Sequence, residues 1–125
     1  MKKTILTDKA PKPVGPYSQA VQAGDFLFCS GQIAIDPKTD QVMTGPVEQQ
    51  TEQVMENIRA VLAAGDMKFS NIVKTTIFLT SMQDFAKVNE VYARYFESDP
   101  PARSTIAVAG LPKGVNVEIE VLAKR

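Results

Sequence analysis

"PVEQQTEQVMENIRAVLAAGDMKFSNIVKTTIFLT", residues 46–80, changes its hydrophobic period halfway along, and that change decides the class of fold. In the first half Val47, Val54, Met55, Ile58, Val61 and Leu62 recur at helical spacing. Glu48, Gln49, Glu52, Gln53, Glu56 and Arg59 lie largely off that stripe. Pro46 suits a first helical turn and Gly65 a stop, so the spacing predicts a long helix between them. Residues 71–80 are instead dense in β-branched and aromatic side chains and predict a strand.

Upstream, residues 3–6 read as a short strand and residues 9–16 as a Pro-rich loop. Residues 17–35 predict two strands in a hairpin, with Ala23-Gly24-Asp25 as the turn. Residues 36–40, DPKTD, carry strong turn chemistry. Downstream, Ser81-Met82-Gln83-Asp84 has capping-box spacing ahead of a second helix. Phe85, Val88, Tyr92, Tyr95 and Phe96 form its apolar face, and Pro100-Pro101 end it. Residues 104–108 and 115–123 are two further strands joined by a Gly/Pro loop. The order of strands, helix, strand, helix, strands predicts a single α+β domain over residues 1–125, with a mixed β-sheet and two helices on one face.

The composition narrows the chemistry. Fourteen basic residues balance fourteen acidic ones, and there is no basic stripe, which speaks against a nucleic-acid partner. No apolar run is long enough to cross a bilayer, and the first residues do not form a signal peptide. The single Cys29 fits a reducing compartment, so a cytoplasmic protein is expected. There is no histidine, hence no Ser-His-Asp or Cys-His pair and no imidazole metal ligand. Neither glycine-rich nucleotide motif is present. Acid–base work falls to carboxylates, Tyr, Lys, Cys29, backbone or water.

Strand alternation puts Arg103, Thr105 and Ala107 on one face, and Asn116, Glu118 and Glu120 together on one face of the last strand. If these strands pair as a hairpin, Thr105 falls opposite Glu118 and Arg103 opposite Glu120. The plain reading is then a cross-strand salt bridge, with Glu120 a partner for Arg103 or Lys124. The functional reading keeps the guanidinium fork available for a planar anion. Cys29 reads as a small buried residue, and the Tyr92, Tyr95 and Phe96 set as core. Gly31 would let a ligand approach the backbone closely.

"APKPVGPYSQAV", "FCSGQIAIDPKT", "VKTTIFL", "DFAKVNEVYARYF", "PARST" and "LPKGVNVEIEVLA" occur in that order along nearly the whole chain. Together they resemble the RidA (YjgF-like) family of reactive-intermediate deaminases. The resemblance implies a chorismate-mutase-like fold, a homotrimer with clefts between subunits, and cofactor-free, metal-free hydrolysis of 2-imino acids to 2-keto acids and ammonia. It implies that Arg103 clamps the substrate carboxylate and Glu118 positions the attacking water. Tyr17 matches a tyrosine at the cleft mouth, Ser30 and Gly31 the lining loop, and Asn89 an asparagine of the second helix. Thr105 stands where many members have cysteine, which leaves its backbone carbonyl to contact ligand. Ala107 and Gly110 replace larger charged residues.

The leading expectation is therefore a 2-iminobutanoate/2-iminopropanoate deaminase. The alternative is a non-catalytic trimer whose clefts sense small carboxylates, which keeps Arg103 but does not need Glu118. RNA binding or cleavage, a third class, finds little support in a chain without net charge.

Overall fold

A computed structural model describes residues 2–125. The elements are β1 Lys2–Ile5, β2 Ala20–Ala23, β3 Phe26–Gln32, β4 Ile35–Asp36, β5 Gln41–Val42, α1 Val47–Ala64, β6 Ile72–Leu79, α2 Phe85–Ala93, β7 Ala102–Ala107 and β8 Val117–Lys124. Six strands form one mixed sheet in the order β1-β2-β3-β8-β6-β7, and β4 and β5 form a small separate hairpin around the 36–40 turn. The α+β class, the mixed sheet and the two helices agree with the sequence reading. No helix among the described residues is long and apolar enough to cross a membrane.

The predicted stripe of α1 is buried, and Gln50, Thr51 and Asn57 are buried with it. These polar side chains are tied to loops. The Gln50 amide donates to the Asn116 side chain (2.8 Å) and the Gly45 carbonyl (3.0 Å). Asn57 donates to the carbonyls of Ile33 and Ile35 at 3.2 and 2.9 Å, holding the chain that leaves β3. Leu27, Ile77, Leu79, Val117, Ile119 and Ala123 supply the sheet side of the core beneath the helices. The second helix ends earlier than the apolar pattern suggested. Tyr95 and Phe96 follow α2 in a turn bonded three residues back, to the carbonyls of Tyr92 and Ala93.

The expected hairpin of the last two strands does not form. β7 pairs with β6 in parallel, and β8 lies on the other side of β6, antiparallel to it and to β3. Arg103 therefore faces Thr75, and Thr105 faces Ile77, instead of Glu120 and Glu118. Helix α2 is the crossover that a parallel β6–β7 pair requires. Glu118 and Glu120 are in register with Phe78 and Thr76, whereas Arg103 and Thr105 are in register with Thr75 and Ile77. Cross-strand partners share a face, so the arginine and the glutamates project from opposite faces of the sheet. The helices cover the arginine face. The glutamate face carries no helix among the described residues and exposes Phe28 (50%) and Ile106 (46%) beside the polar Lys74, Thr76 and Ser104.

Candidate active site in two halves

The arginine half is built by β7 and α2. Phe85, Asn89 and Tyr92 recur at i, i+4 and i+7 on α2 and so meet β7 along one helix face. The Arg103 guanidinium carbon sits 5.5 Å from the Phe85 ring centre and 5.2 Å from that of Tyr92. Its Nη1 donates to Asn89 Oδ1 at 2.6 Å. Among the described residues the ion pairs are Arg59–Glu56 and Arg94–Glu90, so Arg103 is held by two π-faces and one neutral amide, with no carboxylate. Glu120 is thus neither its partner nor that of Lys124, whose Nζ donates to the Arg125 carbonyl. Pro100, Pro101 and Phe96 wall a cavity of about 470 Å³ beside the guanidinium. Asp99, at φ 49°, makes the left-handed turn that leads into the two prolines. A guanidinium has five N–H donors, and among the described residues one is engaged, so the arrangement can accept a planar anion.

The carboxylate half is built by β8, β3 and the Pro-rich loop. A cleft of about 620 Å³ is lined by Tyr17, Ser30, Gly31, Lys113, Glu118 and Glu120, among others. Gln19, 1% exposed, pins the loop over it. Its amide donates to the carbonyls of Thr7 (3.0 Å) and Pro11 (2.9 Å), and its oxygen accepts from the Thr7 N–H at 2.7 Å. Ser30 donates its hydroxyl to the Ser18 carbonyl at 2.6 Å and its N–H to the Gln19 carbonyl, which fixes the β3 edge of the cleft. Tyr17 is half exposed, and its phenol oxygen accepts from the Val14 N–H at 3.3 Å. Burial, and secondarily the charge of Glu120, hold the Glu118 carboxyl above its usual range. Such a carboxyl can give and take a proton closer to neutrality.

The structure brings Arg103 and Asn89 together in one half, and Tyr17, Ser30, Gly31 and Glu118 together in the other. It does not bring the two halves together within one chain. Thr105 is on the arginine face, and its hydroxyl oxygen is buried with no hydrogen-bond partner among the described residues. Cys29 lies beside the core, where burial pushes its thiol up to about 12 and disfavours the thiolate. From sequence Phe85 and Tyr92 were read as an apolar helix face, with Tyr92 as core, which the structure bears out, but not as a cradle for Arg103, and Lys113 was given no role. The signal for the cradle was an Asn set between two aromatics on one helix face. No spacing pointed to Lys113.

The family profile described as Endoribonuclease L-PSP matches residues 7–125. A RutC family protein of Pyrococcus horikoshii is 53% identical over 98% of each chain. The 2-iminobutanoate/2-iminopropanoate deaminase of Mus musculus is 45% identical over 98% of this chain and 91% of its own. The crystal structure of the Rid-family protein YyfA from Yersinia pestis superposes with a TM-score of 0.98 at 47% identity, covering both chains completely.

Proposed function

The chain belongs to the Endoribonuclease L-PSP family, which includes the RidA/YjgF proteins, and we propose that it hydrolyses 2-imino acids to 2-keto acids and ammonia at sites shared between subunits of a homotrimer. The observation that carries the reading is Arg103, a cation held over aromatic rings without a carboxylate of its own. An external carboxylate completes it.

Arg103 and Glu118 act on one substrate only if they come from different chains, because they project from opposite faces of the same sheet. The open sheet face supports such an assembly. Phe28, Ile106, Val73 and Phe26 lie exposed on or beside it, with no helix over them. β7 is also an edge strand, paired on one side only.

In this site Arg103 holds the carboxylate of a protonated 2-imino acid, whose C2 is already electrophilic. Glu118 of the neighbouring subunit, as carboxylate, takes a proton from water while the water oxygen bonds to C2. It then returns that proton to the nitrogen. The C–N bond breaks, the hydroxyl proton leaves as C=O forms, and ammonia carries it away as ammonium. Positioning supplies most of the rate, since the imine needs an oriented water more than a strong base. The ligands are small 2-imino and 2-keto acids.

An amino-acid oxidase acting on alanine or 2-aminobutyrate supplies the imine, and semicarbazide traps whatever escapes. Wild-type protein diverts imine to keto acid and suppresses semicarbazone. Arg103→Ala does not. Equal semicarbazone with and without wild type would sink the proposal. Glu118→Gln separates enzyme from carboxylate sensor, since it loses turnover while keeping keto-acid affinity.

A further inference from the structure

The arginine half contains a device that the proposed chemistry alone does not require. Tyr92 is 5% exposed, and its hydroxyl lies 2.8 Å from Oγ1 of Thr75, itself 1% exposed. Thr75 is the residue directly opposite Arg103 on the neighbouring strand. The phenol is thus tied to the backbone register of the arginine, while its ring lies 5.2 Å from the guanidinium carbon.

We infer that Tyr92 is a positioning residue for the carboxylate clamp: locked by Thr75, its ring carries the Arg103 guanidinium in place without neutralising it. This rests on the reading of Arg103 as a clamp. A half-buried guanidinium has lost water and needs compensation. A carboxylate would supply it, but would occupy the fork and cancel the charge that attracts the substrate. An aromatic face attracts the cation and uses none of its N–H donors. Phe85 contributes a second ring, but has no hydroxyl to register it. Burial keeps the Tyr92 phenol protonated, so no competing phenolate forms beside the clamp.

Ring electrostatics can be varied at nearly constant shape. The double variant Tyr92→Phe/Thr75→Val removes both hydroxyls together and leaves neither orphaned, which protects folding. Mono-, di- and trifluorinated phenylalanine placed at position 92 in that background then weaken the negative ring face stepwise. The full-length protein is titrated with 2-oxobutanoate, and imine turnover is followed in parallel. The affinity for 2-oxobutanoate falls with each fluorine, reaching about tenfold across the series, and KM rises in step while kcat and Tm hold. The single variants Tyr92→Phe and Thr75→Val each raise KM by about threefold, because the ring loses its lock.

A purely structural Tyr92 gives a flat affinity series, or a fall in Tm and kcat together, and either result overturns the inference. The two readings fail separately. Wild type that neither binds 2-oxobutanoate nor consumes imine sinks the clamp and the inference with it. Wild type that does both, with a flat fluorine series, sinks the inference alone.

Discussion

The Glu118 carboxyl occupies the space that Gly31 leaves open: a Cβ on Gly31 would collide with Oε2 of Glu118 and stand 2.9 Å from its Cδ. The strand that lines the cleft and the carboxyl beside it are therefore fitted to one another. Gly31→Ala forces the carboxyl to swing away while the fold keeps its core. Turnover of 2-iminobutanoate should fall by about 10- to 100-fold in kcat, with KM little changed. Steady-state kinetics by semicarbazide competition checks this. Full activity in a well-folded variant would mean that the carboxyl does not work from the position seen here.

Asn89 gives Arg103 a neutral partner at 2.6 Å. Asn89→Asp changes almost nothing in shape and puts a negative charge on the guanidinium. The pair so formed should leave Tm unchanged or higher, while 2-oxobutanoate affinity drops by about tenfold or more. Calorimetric titration and a melting curve on the same sample read both. A loss of stability with unchanged binding would contradict a clamp that depends on being unneutralised.

A base must be ionised to accept a proton, so kcat/KM should climb as pH rises through the raised pKa of Glu118. Burial is the larger cause of that rise and the charge of Glu120 the second. Glu120→Gln removes the second cause and lowers the Glu118 pKa. Its acid limb should therefore shift to lower pH, while Glu120→Asp stays close to wild type. A limb that does not move, or moves upward, would show that Glu118 is not the group being titrated.

Much of the fold was legible in the sequence. The apolar stripe of α1 and the β-branched run of β6 each satisfy one period over many residues, and local pattern decided both. Strand faces were legible too, since alternation alone puts Arg103 with Thr105 and Glu118 with Glu120. What could not be read was which strands touch. The hairpin expectation followed the usual pairing of consecutive strands. The connection from Ala107 to Val117 is long for a hairpin and was the available warning. Pairing β7 with β6 changed the meaning of the polar residues, turning one supposed pocket into two half-sites on opposite faces. The Tyr92 cradle stayed hidden for a related reason: at helical spacing, an aromatic that packs a core and one that carries a cation look alike.

Thr105 carries a buried hydroxyl oxygen without a hydrogen-bond partner among the described residues. Thr105→Val keeps the shape and removes the unsatisfied group, so the denaturant midpoint should rise by the equivalent of about 1 kcal/mol at unchanged slope. Binding of 2-oxobutanoate should persist if, as the family resemblance implies, ligand is contacted by the backbone carbonyl, which valine keeps. A marked loss of binding would move that contact to the hydroxyl.

The central claim is that one site needs Arg103 from one subunit and Glu118 from another. Arg103→Ala and Glu118→Gln are each expected to be inactive as pure proteins. Co-expressed in equal amounts and assembled at random, they should regain about one quarter of wild-type turnover, the fraction of interfaces that receive both intact residues. A mixture as inactive as its two parents would contradict a shared site.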